Sequence, residues 1–114
     1  MKNNLLASFL IVSMAMGCVG MAFAQEANSN ALTIVIKNHQ FDPQQLTVPA
    51  GKKIQITVEN QDQTPEEFES FDLDREQVVE GNKKITVFLG PLSPGKYNYW
   101  ADFHKSSTGI IVAQ

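Results

Sequence analysis

From Leu32 onward the chain alternates apolar and polar side chains in short runs. Leu32, Ile34 and Ile36 fall on one side, Thr33, Val35 and Lys37 on the other. That two-residue period belongs to a strand with one buried face. Phe41-Asp42-Pro43 interrupts the run, Gln45–Val48 resumes an extended texture, and Pro49-Ala50-Gly51 turns it. Ile54, Ile56 and Val58 then alternate with Lys53, Gln55, Thr57 and Glu59, and Asn60–Pro65 reads as a polar loop. Glu67 and Glu69 share one face while Phe68 takes the opposite one, with Phe71 and Leu73 expected on the Phe68 side. Asp72–Val79 has room for at most one helical turn. Gly81-Asn82 is a turn, Ile85, Val87 and Leu89 alternate, and Pro91–Gly95 leads into Tyr97–Ala101 and Gly109–Val112. Seven to eight short strands, turn signals between them and no helical period predict an all-β Greek-key β-sandwich. The step Pro94-Gly95-Lys96-Tyr97 further predicts a tyrosine whose hydroxyl ties a sandwich corner.

The first 24 residues break this texture. Lys2 is a short positive start, Leu5–Met21 is apolar, and Ala22-Phe23-Ala24 places small residues where a signal peptidase reads them. The expected organisation is a signal peptide over 1–24, a polar leader over 25–30 and a folded domain over 31–114, with export to the periplasm. A lipid anchor on Cys18 is the weaker reading, because Ala15-Met16-Gly17 lacks the usual Leu-like residue before the cysteine. Cys18 is the single cysteine. Cleavage after Ala24 therefore leaves a chain with neither a thiolate ligand nor an intramolecular disulfide. It also removes Lys2, so the formal net charge of −3 becomes about −4. That balance argues against a nucleic-acid partner, which would want a basic face.

Two stretches carry candidate chemistry. Tyr97–Gly109 reads as a strand, a loop bearing Asp102 and His104, and a closing strand. If Glu66-Glu67-Phe68-Glu69 faces that loop across the end of the sandwich, Glu67, Glu69, Asp102 and His104 converge. Three carboxylates and one imidazole suit copper(II), iron, manganese or zinc better than copper(I), which prefers sulfur. Glu66 has the opposite parity to Glu67 and ranks below it, and His39 reads as a surface histidine near a strand end. Trp100, opposite in parity to an inward Tyr99, is expected to be partly exposed. All four methionines, Met1, Met14, Met16 and Met21, lie within the expected signal peptide.

Phe41-x-Pro43, Leu46-x-Val48-x-x-Gly51, Val58-x-Asn60, Leu92-x-Pro94-Gly95-x-Tyr97, His104 and Gly109-x-x-Val112 together resemble the cupredoxins over Leu32–Val112. The resemblance implies a cupredoxin-like sandwich. Its blue copper site needs two histidines, a cysteine and usually a weak axial methionine. Here Ala101 stands in the cysteine's place, Glu67 near that of the first histidine and Ser107 in the methionine's, so a blue centre is not expected. Pro65-x-Glu67-Phe68-Glu69-Ser70, with Asp102-Phe103-His104 and Thr108-Gly109, is similar to the EfeO-type cupredoxin-like domains of periplasmic ferrous-iron uptake. That similarity implies copper or iron bound through Glu67, Glu69, Asp102 and His104, and delivery to a membrane iron permease or a periplasmic iron-uptake protein. Copper-dependent oxidation of ferrous iron is one alternative, and a metal-free β-sandwich interaction module is another. Neither a nucleophile elbow nor a triad supports a hydrolase. A monomer is the expected state.

Overall fold

The computed structural model describes residues 32–114. The expected signal peptide, the leader and Cys18 lie outside the described residues. Nine strands run in the order β1 (Thr33–Lys37), β2 (Gln40–Asp42), β3 (Gln45–Val48), β4 (Ile54–Asn60), β5 (Glu66–Ser70), β6 (Arg75–Val79), β7 (Lys84–Leu89), β8 (Gly95–Ala101) and β9 (Thr108–Ala113). They form a four-stranded sheet, β2-β1-β4-β7, and a five-stranded sheet, β3-β9-β8-β5-β6. Both sheets are mixed: β1 pairs parallel with β4 and β3 parallel with β9, and the remaining pairs are antiparallel. The chain changes sheet between β2 and β3, β3 and β4, β4 and β5, β6 and β7, and β7 and β8, as a Greek-key sandwich requires.

The alternating residues fill the space between the sheets. Ile34, Ile36, Ile54, Ile56, Val58, Val87 and Leu89 come from the first sheet, and Leu46, Val48, Phe68, Tyr99, Ala101 and Ile111 from the second. Phe41, Phe68 and Tyr99 form the aromatic centre. Phe41 meets the Tyr99 ring edge-on with centroids 4.8 Å apart, and Phe68 lies 5.0 Å from Tyr99. Tyr99 pairs in register with Gly109, where a Cβ would fall 2.2 Å from the ring, so only glycine leaves room for it. The Tyr97 hydroxyl donates to the Ser93 carbonyl at 2.8 Å, closing the expected corner.

Three local expectations are corrected. Arg75–Val79 is a strand, because pairing with β5 satisfies its backbone and buries Val79, which an isolated helical turn does not do. Phe41-Asp42-Pro43, expected as a break, contributes its first two residues to β2 (Gln40–Asp42), which pairs antiparallel with β1. Phe71 is 78% exposed: it lies three positions after Phe68, so a two-residue period places it with Glu67 and Glu69 on the outer side rather than with Phe68.

Candidate metal centre

The β5 strand has two chemically distinct faces. Glu66, Phe68 and Ser70 point into the sandwich, whereas Glu67 and Glu69 occupy the outer face. Glu66 is thus a carboxylate at a core position, 1% exposed. A group so placed must be paired. Its Oε1 accepts the backbone N–H of Phe103 and of Glu67, each at 3.0 Å. Its Oε2 lies 2.5 Å from Nδ1 of His104, within hydrogen-bond distance.

His104 reaches Glu66 because the β8–β9 connection is a tight turn. Its N–H donates to the Ala101 carbonyl at 3.0 Å, and its own carbonyl accepts Ser107 N–H at 2.9 Å. In such a turn residues two apart no longer share a side. Asp102, expected to project with His104, turns to the outer face instead. There its carboxylate accepts from Trp100 Nε1 at 3.2 Å and lies 3.7 Å from Lys105 Nζ.

His39 completes the inner group. It sits in the β1–β2 turn, half-buried, with its ring stacked on His104 at a centroid distance of 3.6 Å and an interplanar angle of 18°. One donor atom each from His39, Glu66 and His104 lies within 4.8 Å of the others. Metal–nitrogen and metal–oxygen bonds of about 2.0–2.2 Å are within reach of this set after small side-chain rotations.

The outer face gathers a second set, Glu67, Glu69 and Glu76, whose carboxylate oxygens also lie within 4.8 Å of one another. Glu76 stands directly across from Glu69 in the β5–β6 register, and Asp102 lies close enough to Glu69 to act on its carboxyl. Contact with Glu76 and burial, with the charges of Glu76, Asp102 and Glu69, push the Glu67 carboxyl up to about 7. Burial and the neighbouring Asp102 carboxyl raise Glu69. Asp102 is held below its ordinary value, chiefly by the Trp100 indole N–H and despite burial.

The four residues singled out from sequence are therefore divided between the two faces of β5. Glu67, Glu69 and Asp102 come together outside with Glu76, and His104 meets Glu66 and His39 inside. Sequence reasoning ranked Glu66 below Glu67 and read His39 as a surface residue. The parity that sent Phe68 inward sends Glu66 inward too, and that was the available signal. No comparable signal marks His39, whose place follows from how the β1–β2 turn meets the β8–β9 turn.

The donor set settles what kind of copper site is possible. Residues 32–114 contain no cysteine and no methionine. Ala101, 1% exposed, stands three residues before His104, and Ser107 stands three after. A blue copper centre does not fit these donors. Two imidazoles and a carboxylate do fit copper(II), zinc or ferrous iron.

A two-sheet Greek-key sandwich with a histidine-bearing turn between its last two strands is a cupredoxin-like architecture, and the comparisons with known proteins agree. The family model for the cupredoxin-like domain matches residues 7–113, and the chain belongs to that family. It is 43% identical over 90 residues to an uncharacterised protein of Rickettsia prowazekii (strain Madrid E), covering 76% of this chain and 72% of that one. Among solved structures it is similar to a novel purple cupredoxin from Nitrosopumilus maritimus, with TM-score 0.59 and 20% identity over 72% of this chain and 98% of the other. It is likewise similar to amicyanin from Paracoccus versutus, with TM-score 0.61 and 16% identity over 78% and 84% of the two chains. At these identities the two structures support the fold alone.

Proposed function

We propose that this is a periplasmic metal-binding protein that holds copper(II) at His39, Glu66 and His104 and passes it to a partner. The observation that carries the reading is the buried Glu66 carboxylate directed at His104 Nδ1 with a second imidazole stacked alongside. A carboxylate this buried is more readily explained as a ligand than as a stabilising charge, since an apolar residue of similar size would fill the core at lower cost.

Each residue has a separate task. Glu66 supplies the negative charge and is oriented by the two backbone N–H groups on Oε1, which leaves Oε2 for the cation. His104 would supply Nδ1, which faces Glu66 Oε2. His39 supplies the second imidazole and shields the first. Copper bound this way supplies a one-electron centre biased toward its oxidised state, because the ligands are nitrogen and oxygen rather than sulfur. His104 is 38% exposed at its side chain, which leaves an open side for a partner to accept the metal.

Export to the periplasm is supported by the leader pattern over 1–24. Membership of the EfeO-type group is supported by Pro65–Ser70 and Asp102–His104, and it makes iron the competing cargo and an iron permease or periplasmic iron-uptake protein the competing partner. For iron, the outer carboxylates Glu67, Glu69, Glu76 and Asp102 add a set of hard oxygen donors suited to the ferric ion. Isothermal titration with copper(II), zinc, iron(II) and iron(III) tests both readings. Copper binding at micromolar or better, weakened at least about 100-fold by His104→Ala, supports the inner centre. Binding that is lost with Glu69→Ala and unaffected by His104→Ala supports the outer one. Oxygen consumption by the copper-loaded protein with ferrous iron separates carriage from ferroxidase activity.

A further inference from the structure

The β4–β5 loop holds a carboxylate, Asp62, that belongs to neither cluster and faces the β1–β2 turn behind His39. The N–H groups of Asn38 and His39 donate to Asp62 Oδ1 and Oδ2 at 2.8 and 2.9 Å. Both residues have left-handed backbones, with φ of 52° and 61°. Side chains disfavour that conformation, and it is well tolerated only when the freed N–H groups find acceptors. Asp62 Oδ2 also lies 3.6 Å from His39 Nδ1.

Asp62 is itself fixed. Its N–H donates to Asn60 Oδ1 at 3.0 Å, and its carbonyl accepts Asn82 N–H at 2.8 Å. Asn60 is 1% exposed and anchors the loop through Nδ2, which donates to the carbonyls of Thr64 at 2.8 Å and Val79 at 3.1 Å. On the far side of His39, the Ser107 hydroxyl donates to the His39 carbonyl. The β1–β2 turn is therefore gripped at its N–H groups by the β4–β5 loop and at a carbonyl by the His104 turn.

We infer that Asp62 is the positioning residue of the metal centre: its carboxylate fixes the Asn38-His39 backbone and faces His39 Nδ1, so that the His39 ring stays against His104 as the third ligand. This rests on the metal reading above. A carboxylate behind a metal-bound histidine is a common way to orient the ring, and its loss typically weakens metal binding about 10–100-fold. Asp62 touches no reacting atom and acts through His39.

The test uses Asp62→Ala, Asp62→Asn, His39→Ala and the double variant Asp62→Ala/His39→Ala. In the metal-free protein, NMR contacts between the His39 and His104 rings are present in the wild type, weaker in Asp62→Asn and absent in Asp62→Ala. In copper(II) titrations, Asp62→Ala costs roughly 10–100-fold, Asp62→Asn less, and the double variant binds no more weakly than His39→Ala. Ring contacts that persist in Asp62→Ala overturn the inference, as does a loss of affinity that is additive in the double variant. Wild-type protein that fails to bind metal overturns the function proposed above, and the ring contacts then decide the positioning role by themselves. Circular dichroism and melting temperature of each variant show whether it is folded.

Discussion

Replacing Glu66 in two ways separates its structural role from its role as a ligand. Glu66→Ala removes the acceptor of two backbone N–H groups, those of Phe103 and Glu67, both at 3.0 Å and reaching a side chain that is 1% exposed. A buried N–H without a partner costs about 1–3 kcal/mol, so the pair costs about 2–6 kcal/mol, before any contribution from the space left behind. For a domain of this size each kcal/mol lowers the melting temperature by about 4–8 °C, which puts Glu66→Ala at least about 8 °C below wild type. Glu66→Gln keeps an oxygen where Oε1 stands and places an amide N–H₂ toward His104 Nδ1. It should stay within about 1 kcal/mol of wild type while losing the anionic donor, and with it about 10–100-fold in copper affinity. Metal-free thermal or urea denaturation gives the first comparison and titration the second. If Glu66→Ala melts with the wild type, or if Glu66→Gln is as damaging as Glu66→Ala, the carboxylate does not organise the β8–β9 turn. If Glu66→Gln binds copper as tightly as wild type, Glu66 is not a ligand.

Three further outcomes follow from the packing and the charges. Gly109→Ala drives a methyl group into the Tyr99 ring and should destabilise by about 1–3 kcal/mol or more, read as a lower urea midpoint at unchanged m-value. Tyr99→Phe removes a buried hydroxyl that has no partner among the described residues, so it should leave stability unchanged or raise it by up to about 1 kcal/mol, and a clear loss would reveal a hidden partner. Glu67 titrates near 7 in the folded chain against an ordinary 4.5, so between those values the folded state holds the proton more tightly than the unfolded one. Its contribution to stability is therefore greatest below about 4.5 and is lost as the pH rises through 7. Glu67→Gln should flatten that fall in a series of melting temperatures from pH 4.5 to 8.

Most of the sandwich was legible because one side of each strand meets the core. Ile34 and Ile36, Ile54 to Val58, and Val87 and Leu89 follow the two-residue period, and Tyr97 announced its corner through the turn before it. Strands β2 and β6 were missed because each is defined by its neighbour. Gln40–Asp42 is too short to show a period, and Arg75–Val79 carries mostly polar residues at an edge. At the site, the loop bearing His104 was identified, yet strand parity was carried too far into it. A turn held by Ala101 and Ser107 sends Asp102 and His104 to different sides. The acidic pair drew attention away from Glu66, although a charge on the same parity as Phe68 is the more unusual observation. His39 is brought in by contacts with Asp62 and Ser107, which lie 23 and 68 positions away in the chain, and no local pattern encodes those.

The sulfur-free make-up of residues 32–114 sets how this centre behaves under oxidative stress. Peroxide converts thiolates to sulfenic and higher acids and thioethers to sulfoxides, disabling copper sites that depend on them. Histidine and glutamate side chains do not enter that ladder, so thiol and sulfoxide reductases have no part in maintaining these donors. On the copper reading proposed above, a centre with these donors would not lose its ligands through the sulfur oxidation that disables a thiolate-based site.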